Sequence, residues 1–142
     1  MTHAIEFHDS RLAAVTLSAG DALLELAPGY VHQWERRGSQ WLGTGWTKPV
    51  RIRVTGASLA SALPSLPVGI AGGTLTVGGK VHSNLVPLPF QADGETRLRL
   101  LLVNSPALEV EGAGIVIEAT GDGRQVEDLP QEWAPSVNDG AA

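Results

Sequence analysis

The chain of 142 residues is 43% hydrophobic and carries a formal net charge of −5. This length and hydrophobic fraction predict one domain with a packed core and exclude wholesale disorder. The negative charge argues against a nucleic-acid partner, which needs a basic face, and the absence of cysteine excludes disulfides, thiolate metal sites and a cysteine nucleophile.

Glycine and proline break the sequence often, with 17 and 9 residues respectively. So many breaks predict short β-strands joined by turns, not long helices. The first six residues lack the basic and apolar regions of a signal peptide, and no apolar run approaches the roughly 20 residues needed to cross a bilayer. We therefore expect a cytoplasmic protein with no membrane segment, one domain over residues 1–134 and a loose tail over 135–142.

The start of the chain predicts a short strand and a hairpin. Residues 4–7 form a strand or a lead-in, and residues 13–26 alternate apolar and polar side chains around a break at 19–21. This pattern is typical of a hairpin with one buried face. Pro28-Gly29 is expected to end the hairpin, and residues 30–35 predict another short, polar strand.

The middle of the chain predicts a loop, one clear strand and a connection. Residues 36–46 are rich in glycine and predict the loop. Residues 50–55 alternate apolar and polar side chains, which indicates an amphipathic strand with a basic outer face. Pro64 and Pro67 stop any helix within residues 57–71, so we expect that segment to cross from one sheet to another.

The second half of the chain predicts a hairpin and then a three-stranded meander. Gly78-Gly79 separates two β-prone runs, 74–77 and 81–88, and suits a two-residue turn with positive φ. Three strands then follow, each after a predicted turn. The turn at 93–94 precedes strand 96–103, the turn at 104–106 precedes strand 108–111, and the turn at 112–114 precedes strand 115–118. Together these elements predict an all-β, antiparallel fold of about eight or nine strands, arranged as a two-sheet sandwich or a flattened barrel.

The segment that ends the predicted domain is acidic and less regular. Residues 126–133 are expected to dock on the sheets through Val126, Leu129 and Trp133, because these are the large apolar side chains of that segment.

Three short motifs resemble a known family. Phe7-His8-Asp9-Ser10 followed by a β-hairpin, together with Gly43-Thr44-Gly45-Trp46 and residues 84–89, resembles an uncharacterised family of small bacterial all-β proteins with an N-terminal Phe-His-Asp-Ser motif. The resemblance implies an antiparallel β-fold over most of the chain and transfers no catalytic residue. Some proteins with similar openings look like immunity or regulatory partners, which implies a protein partner.

The segment between residues 30 and 46 is the candidate binding surface. Tryptophan and arginine dominate binding hot spots because they bury a large rigid area while keeping a polar group. The candidate binding residues are Trp34, Arg36, Arg37, Trp41 and Trp46. Two alternatives are that the rings cover one end of the core, and that exposed rings bind a small ligand or a carbohydrate.

His8-Asp9-Ser10 contains the residue types of a catalytic triad, but adjacent residues of a strand point to opposite faces. The structural interpretation is that Asp9 or Ser10 caps the turn into the first hairpin and that His8 bonds a neighbouring loop. The alternative is a metal-dependent or acid–base enzyme site around His8, His32 and His82. The spacing of these residues demands no metal or cofactor.

The best functional hypothesis from the sequence is a non-enzymatic, cytoplasmic interaction or regulatory module. It would use the Trp/Arg segment to bind a protein partner or to form a homodimer.

Overall fold

The computed structural model describes residues 1–135, and nearly all of its regular structure is antiparallel β-strand. The strands are β1 Thr2–Glu6, β2 Arg11–Ser18, β3 Asp21–Arg37, β4 Gln40–Thr55, β5 Ser58–Leu59, β6 Val68–Val77, β7 Lys80–Ser83, β8 Leu85–Pro87, β9 Phe90–Leu102, β10 Ser105–Ala119 and β11 Arg124–Leu129. A single 3₁₀ turn, Gln131–Trp133, follows the last strand. The all-β antiparallel class predicted from the sequence is confirmed, with eleven strands instead of eight or nine.

Six of the strands pair in a ring. The order of neighbours is β2–β3–β4–β10–β9–β6, and β6 pairs again with β2. The β6–β2 junction is short, since only Arg11↔Gly69 and Leu12↔Val68 are paired there. The ring therefore has the character of a flattened barrel, with one weakly closed seam.

The ring encloses one aliphatic cluster. Alternate residues of each ring strand point inward, as the period of two in an extended chain requires. The fully buried members include Leu12, Leu24, Leu26, Val50, Ile52, Val54, Leu75, Leu98, Leu100, Val110, Ile115 and Ile117. Burial of each such side chain contributes about 1.5–3 kcal/mol, so this cluster supplies most of the driving force for folding.

The same sheet extends beyond the ring because β3 and β4 are longer than the ring needs. After a register shift between Leu26 and Gly29, these two strands stay paired as far as Arg37↔Gln40. We call residues 29–48 the arm. The strand order across the arm sheet is β8–β1–β3–β4–β11.

Several predicted chain breaks are wrong, because glycine and proline form bulges inside strands there. The predicted turns at 93–94 and 112–114 lie opposite each other in β9 and β10, where the register shifts between Gly112 and Gly114. Pro28-Gly29 likewise forms an irregularity within β3 and does not end the strand. The predicted three-stranded meander is therefore two long strands. A β-bulge bends a strand without ending it.

Other predicted boundaries fare differently. The turns at Ala19-Gly20 and Gly78-Gly79 are confirmed. The predicted strand 81–88 is split in two at Asn84, whose φ is +64°. Residues 136–142 of the predicted tail lie outside the described residues. Within residues 1–135, no helix is long and apolar enough to cross a membrane.

Candidate functional site

All of the residues predicted to bind a partner lie on the arm, in strands and not in a loop. Three belong to β3 and two to β4: Trp34, Arg36, Arg37, Trp41 and Trp46. The predicted loop over residues 36–46 is therefore wrong. The chain reverses in a two-residue turn at Gly38-Ser39, where Gly38 has a φ of +61° that favours glycine. The remaining glycines of this segment are paired strand residues.

The arm sheet presents two different faces, because side chains alternate along paired strands. One face, which we call the tyrosine face, carries Tyr30, His32, Trp34, Arg36 and Trp41. The opposite face, which we call the groove face, carries Gln33, Glu35, Arg37, Leu42, Thr44 and Trp46. The sequence-predicted tryptophans are thus divided between the two faces.

Glycines on β4 make room for the aromatic rings of β3 on the tyrosine face. A Cβ atom at Gly43 would overlap the Trp34 ring, and one at Gly45 would overlap the Tyr30 hydroxyl. Trp34 is buried in the space that Gly43 leaves. The Arg36 guanidinium lies 5.6 Å from the centroid of the Trp41 ring, a cation–π geometry. Trp34 therefore supports the arm from within, while Trp41 is only half-buried.

The groove face holds an open cavity of about 280 Å³. Its lining residues are Met1, Gln33, Trp34, Glu35, Arg37, Leu42, Thr44, Trp46 and Gln125. The Trp46 indole Nε1 donates a hydrogen bond of 2.8 Å to Thr44 Oγ1, which fixes the ring. Leu42 is 43% exposed at the edge of this cavity. The groove thus combines a fixed aromatic ring with an accessible aliphatic side chain.

A polar chain continues the groove towards the ring of strands. Lys48 Nζ donates to Gln33 Oε1 at 3.1 Å and lies 5.4 Å from the centroid of the Trp46 ring. His3 Nε2 is also 3.1 Å from Gln33 Oε1. Burial lowers the pKa of His3, and the nearby Lys48 ammonium lowers it further, although the bond with Gln33 acts in the opposite direction. These contacts hold the groove side chains in one arrangement.

The tyrosine face is partly covered by residues 124–133, which comprise β11 and the 3₁₀ turn that follows it. The Tyr30 hydroxyl donates a hydrogen bond to Glu127 Oε1. Burial, and then this bond to a carboxylate, raise the pKa of Tyr30 above its ordinary value. The His32 ring meets Tyr30 edge-on at 5.5 Å and stacks on Trp133 at 6.2 Å. This face is therefore less accessible than the groove face.

The same segment shows which of the predicted docking residues make contact. Leu129 is buried, as predicted. Val126 and Trp133 are exposed over about half of their surface, although Trp133 stacks on His32. Gln131 adds a hydrogen bond from its Nε2 to the backbone oxygen of Trp41. The segment is thus attached through side-chain contacts to the tyrosine face as well as by the pairing of β11.

Ser10 and His8 fix the turn between β1 and β2. The buried Ser10 hydroxyl donates to the backbone oxygen of Glu6 at 2.6 Å and accepts the backbone N–H of Tyr30 at 2.9 Å. The backbone N–H of His8 donates to Asn84 Oδ1 at 2.8 Å. The structural interpretation of this motif is confirmed in part: Ser10 holds the turn and His8 bonds Asn84, but the N–H that Ser10 accepts belongs to Tyr30 on β3.

Two of the three histidines predicted for a catalytic or metal site meet at one carboxylate. His8 Nδ1 lies 3.8 Å from Glu6 Oε2, and His32 Nε2 lies 3.2 Å from Glu6 Oε1. Asp9 joins the same cluster, with its Oδ2 3.3 Å from His8 Nδ1. The candidate cluster therefore consists of Glu6, His8, Asp9 and His32.

His82 lies outside that cluster. Its ring meets Phe90 edge-on at 5.2 Å. Its Nε2 is buried with no hydrogen-bond partner among residues 1–135. Burial lowers the pKa of His82, and the positive charge of Lys80 lowers it further. The neutral ring is therefore favoured, which fits a packing role beside Phe90.

Three residues of these sites, Glu6, Tyr30 and Glu127, are not among the site residues predicted from the sequence. Glu6 is two residues before His8, but His8 lies in the turn after β1, so strand alternation does not predict their contact. Tyr30 and Glu127 are 97 positions apart and meet only through the pairing of β11 with β4. No local pattern predicts that contact.

No family model, curated protein or solved structure was found to match the chain. The geometry of the molecule alone therefore supports the functional proposals below.

Proposed function

We propose that the chain is a protein-interaction module. It binds its partner through the groove face and through the tip of the arm, residues 36–41. The observation that supports this most strongly is the arm itself. It extends β3 and β4 beyond the aliphatic core and carries an accessible Leu42 beside the fixed Trp46 ring. A surface with these properties is suited to binding because little of its side-chain entropy remains to be lost.

The chemistry of the arm matches that of a protein-binding hot spot. Hot spots are enriched in tryptophan, tyrosine and arginine, and they pair an apolar anchor with a polar rim. Trp46 and Leu42 provide the apolar part of the groove face. Arg37 and Glu35 are exposed at its rim, and their 3.5 Å ion pair adds little stability at such a position. Both charges can therefore exchange this pairing for contacts with a partner.

A small-ligand or carbohydrate site is the competing function. Sugar binding requires a free aromatic face for stacking. The Lys48 ammonium lies over the Trp46 ring, and Trp34 is buried. Both rings are therefore less available to a sugar, which favours protein binding over carbohydrate binding. A cytoplasmic location and a regulatory role, both expected from the sequence, are part of the same proposal.

The test compares Leu42→Asp with Val81→Asp. Both side chains are strand residues with similar exposure, 43% and 58%, but Val81 lies on β7, away from the arm. Placing a carboxylate in a hot spot is expected to cost about 2 kcal/mol or more, which is roughly a 30-fold loss of affinity. Val81→Asp should bind like the unmodified chain.

Two measurements locate the partner. Sedimentation equilibrium tests whether the chain associates with itself, and whether Leu42→Asp weakens that association. If the chain is monomeric, quantitative mass spectrometry of proteins retained from a lysate of the source organism tests for a different partner. The proposal is wrong if no self-association occurs and both folded variants retain the same proteins as the unmodified chain.

A further inference from the structure

The turn after β1 brings three metal-ligating side chains to one place. Ligand atoms of Glu6, His8 and Asp9 all lie within 4.8 Å of one another. They belong to a segment of four residues, so the cluster is local, but its geometry depends on contacts with β3 and with Asn84.

The distance between His8 and Asp9 matches one edge of a metal coordination shell, and the distance between His8 and Glu6 is slightly longer. Zinc–ligand bonds of about 2.0–2.2 Å place neighbouring ligands of a tetrahedral site roughly 3.3–3.6 Å apart. His8 Nδ1 lies 3.3 Å from Asp9 Oδ2 and 3.8 Å from Glu6 Oε2. The Glu6 carboxylate must therefore move closer to His8, and the ligand atoms of the three residues already lie within 4.8 Å of one another.

Local backbone conformation explains how adjacent residues can share a site. In a strand, His8 and Asp9 would point to opposite faces. Residues 7–9 are not in a strand, and Asp9 has a φ of +69°. Left-handed conformation at Asp9 breaks the alternation and directs its carboxylate towards His8. The bonds of Ser10 and of the His8 N–H described above hold this turn.

His32 supports the cluster from beneath. Its side chain is only 5% exposed, and its Nε2 lies 3.2 Å from Glu6 Oε1, the oxygen that does not face His8. The ring itself is held between Tyr30 and Trp133. A hydrogen-bonded partner of this kind orients a ligating carboxylate and strengthens metal binding. His32 is therefore a positioning residue and not a fourth ligand.

The charges and exposure of the cluster are suited to a cation. Over residues 1–135, neither Glu6 nor Asp9 forms an ion pair with lysine or arginine, and the ion-pair partners of both carboxylates are imidazoles. The side chains of His8 and Asp9 are 54% and 60% exposed. An ion can therefore enter from solvent, and water can complete its coordination.

We propose that Glu6, His8 and Asp9 form a surface site for a divalent transition metal of the zinc class, with His32 positioning Glu6. One imidazole with two carboxylates favours zinc-like ions over calcium or magnesium, which prefer oxygen ligands alone. This inference is independent of the proposed interaction function, since the site lies on a different part of the arm sheet.

The test is zinc titration of the full chain by isothermal calorimetry. His8→Gln and Asp9→Asn each remove a ligand and should lower the affinity at least about tenfold, since loss even of a supporting partner commonly costs that much. Asp122→Asn is the matched control, because Asp122 is an exposed carboxylate outside the cluster; it should bind zinc like the unmodified chain.

Imidazole NMR identifies the bound residue directly. The chain has four histidines, and zinc should shift the ring signals of His8 while leaving those of His82 unchanged. The proposal is overturned if the chain binds no zinc, if His8→Gln binds it equally well, or if the His82 signals shift instead.

The role of His32 needs a separate measurement. His32→Gln should lower zinc affinity about tenfold while the absorption spectrum of the cobalt-loaded chain keeps the same shape, because the ligand set is unchanged. Unchanged affinity, or a changed cobalt spectrum, overturns the positioning role. If that variant does not fold, the exposed substitutions at His8 and Asp9 still decide whether the site binds metal.

Discussion

The ring and the arm share the two long strands β3 and β4, yet the side chains of these strands are arranged differently in the two regions. In the ring, β3 and β4 turn Leu24 and Ile52 into the core while Glu25 and Arg51 face outward, with Arg51 Nε 2.7 Å from Glu25 Oε1. In the arm, polar or aromatic side chains occupy both faces. One strand can therefore bury an apolar face in the core over half of its length and make specific side-chain contacts on both faces over the other half.

This difference separates stability from candidate function. The ring is held by non-directional aliphatic burial, which depends on volume. The arm is held by aromatic stacking, by rings seated over glycines and by hydrogen bonds to side chains. Both proposed surfaces lie on the arm sheet. Substitutions should accordingly have their largest effect on unfolding in the ring, and a smaller but more local effect in the arm.

Leu24→Ala should have the largest effect on stability. Leu24 is fully buried and pairs with Ile52 inside the ring. Removing its side-chain atoms loses buried apolar area and leaves a cavity, so the free energy of unfolding should fall by about 2–5 kcal/mol. Urea unfolding monitored by circular dichroism measures this. Leu17→Ala is the control, because Leu17 lies on the neighbouring strand but is 54% exposed; a loss of similar size there would contradict the assignment of the core.

Gly43→Ala should have the next largest effect. The added methyl group would meet the Trp34 ring, which is buried and has little room to move. Overpacking of this kind costs about 1–3 kcal/mol, and the near-ultraviolet circular dichroism of the tryptophans should change.

Gly72→Ala is the matched control in the ring. A Cβ atom there would meet only Leu101 Cδ1, at 3.8 Å, which is an ordinary contact. Its free energy of unfolding should stay within about 1 kcal/mol of the unmodified chain. Equal destabilisation by the two substitutions would show that the Trp34 ring is not confined by the arm.

The buried strand segments of the ring were largely predictable from the sequence, although their order around the ring was not, and the reason is physical. Where one face of a strand is buried in an aliphatic core, apolar side chains recur at every second position, as at Val50, Ile52 and Val54. Strand lengths were not predictable, because glycine has the same local signature in a bulge as in a turn. Gly94 lies within one register shift of the paired strands β9 and β10, and Gly112 flanks it; only that pairing distinguishes a bulge from a turn.

The candidate sites were predictable in composition but not in arrangement. The tryptophans and arginines of the arm were identified, but all of them except Trp34 were predicted to lie in a loop, so the division of Trp34 and Trp46 between opposite faces was not predicted. The sequence predicted that His8 and Asp9 point to opposite faces of a strand. The chain is not a strand at these residues, since the backbone of Asp9 has a left-handed conformation. The left-handed conformation of Asp9 brings its carboxylate close to His8, and no periodicity in the sequence predicts that conformation.

The smallest effect concerns Tyr30, the only tyrosine in the chain. Burial and the bond to Glu127 raise its pKa, so the tyrosinate absorbance band should appear at higher pH than the ordinary value of about 10. As pH rises, Tyr30 loses its hydroxyl proton in the unfolded chain at a lower pH than in the folded chain. The contribution of Tyr30 to stability is therefore complete below the ordinary value of about 10 and is lost as pH rises from there through the raised pKa of the folded chain. Ultraviolet absorbance and circular dichroism, followed together during alkaline titration, measure both events.

Glu127→Gln distinguishes the two causes of that shift. The substitution removes the carboxylate charge but leaves Tyr30 buried against His32. Because burial is the larger cause, the titration midpoint should move down only part of the way towards the ordinary value.

Tyr30→Phe, which removes the hydroxyl altogether, should lower the free energy of unfolding by about 0.5–1.5 kcal/mol at neutral pH. A Tyr30 that titrates at the ordinary pH with the fold intact would mean that the segment carrying Glu127 does not cover the tyrosine face, and the arm would then have two accessible faces instead of one.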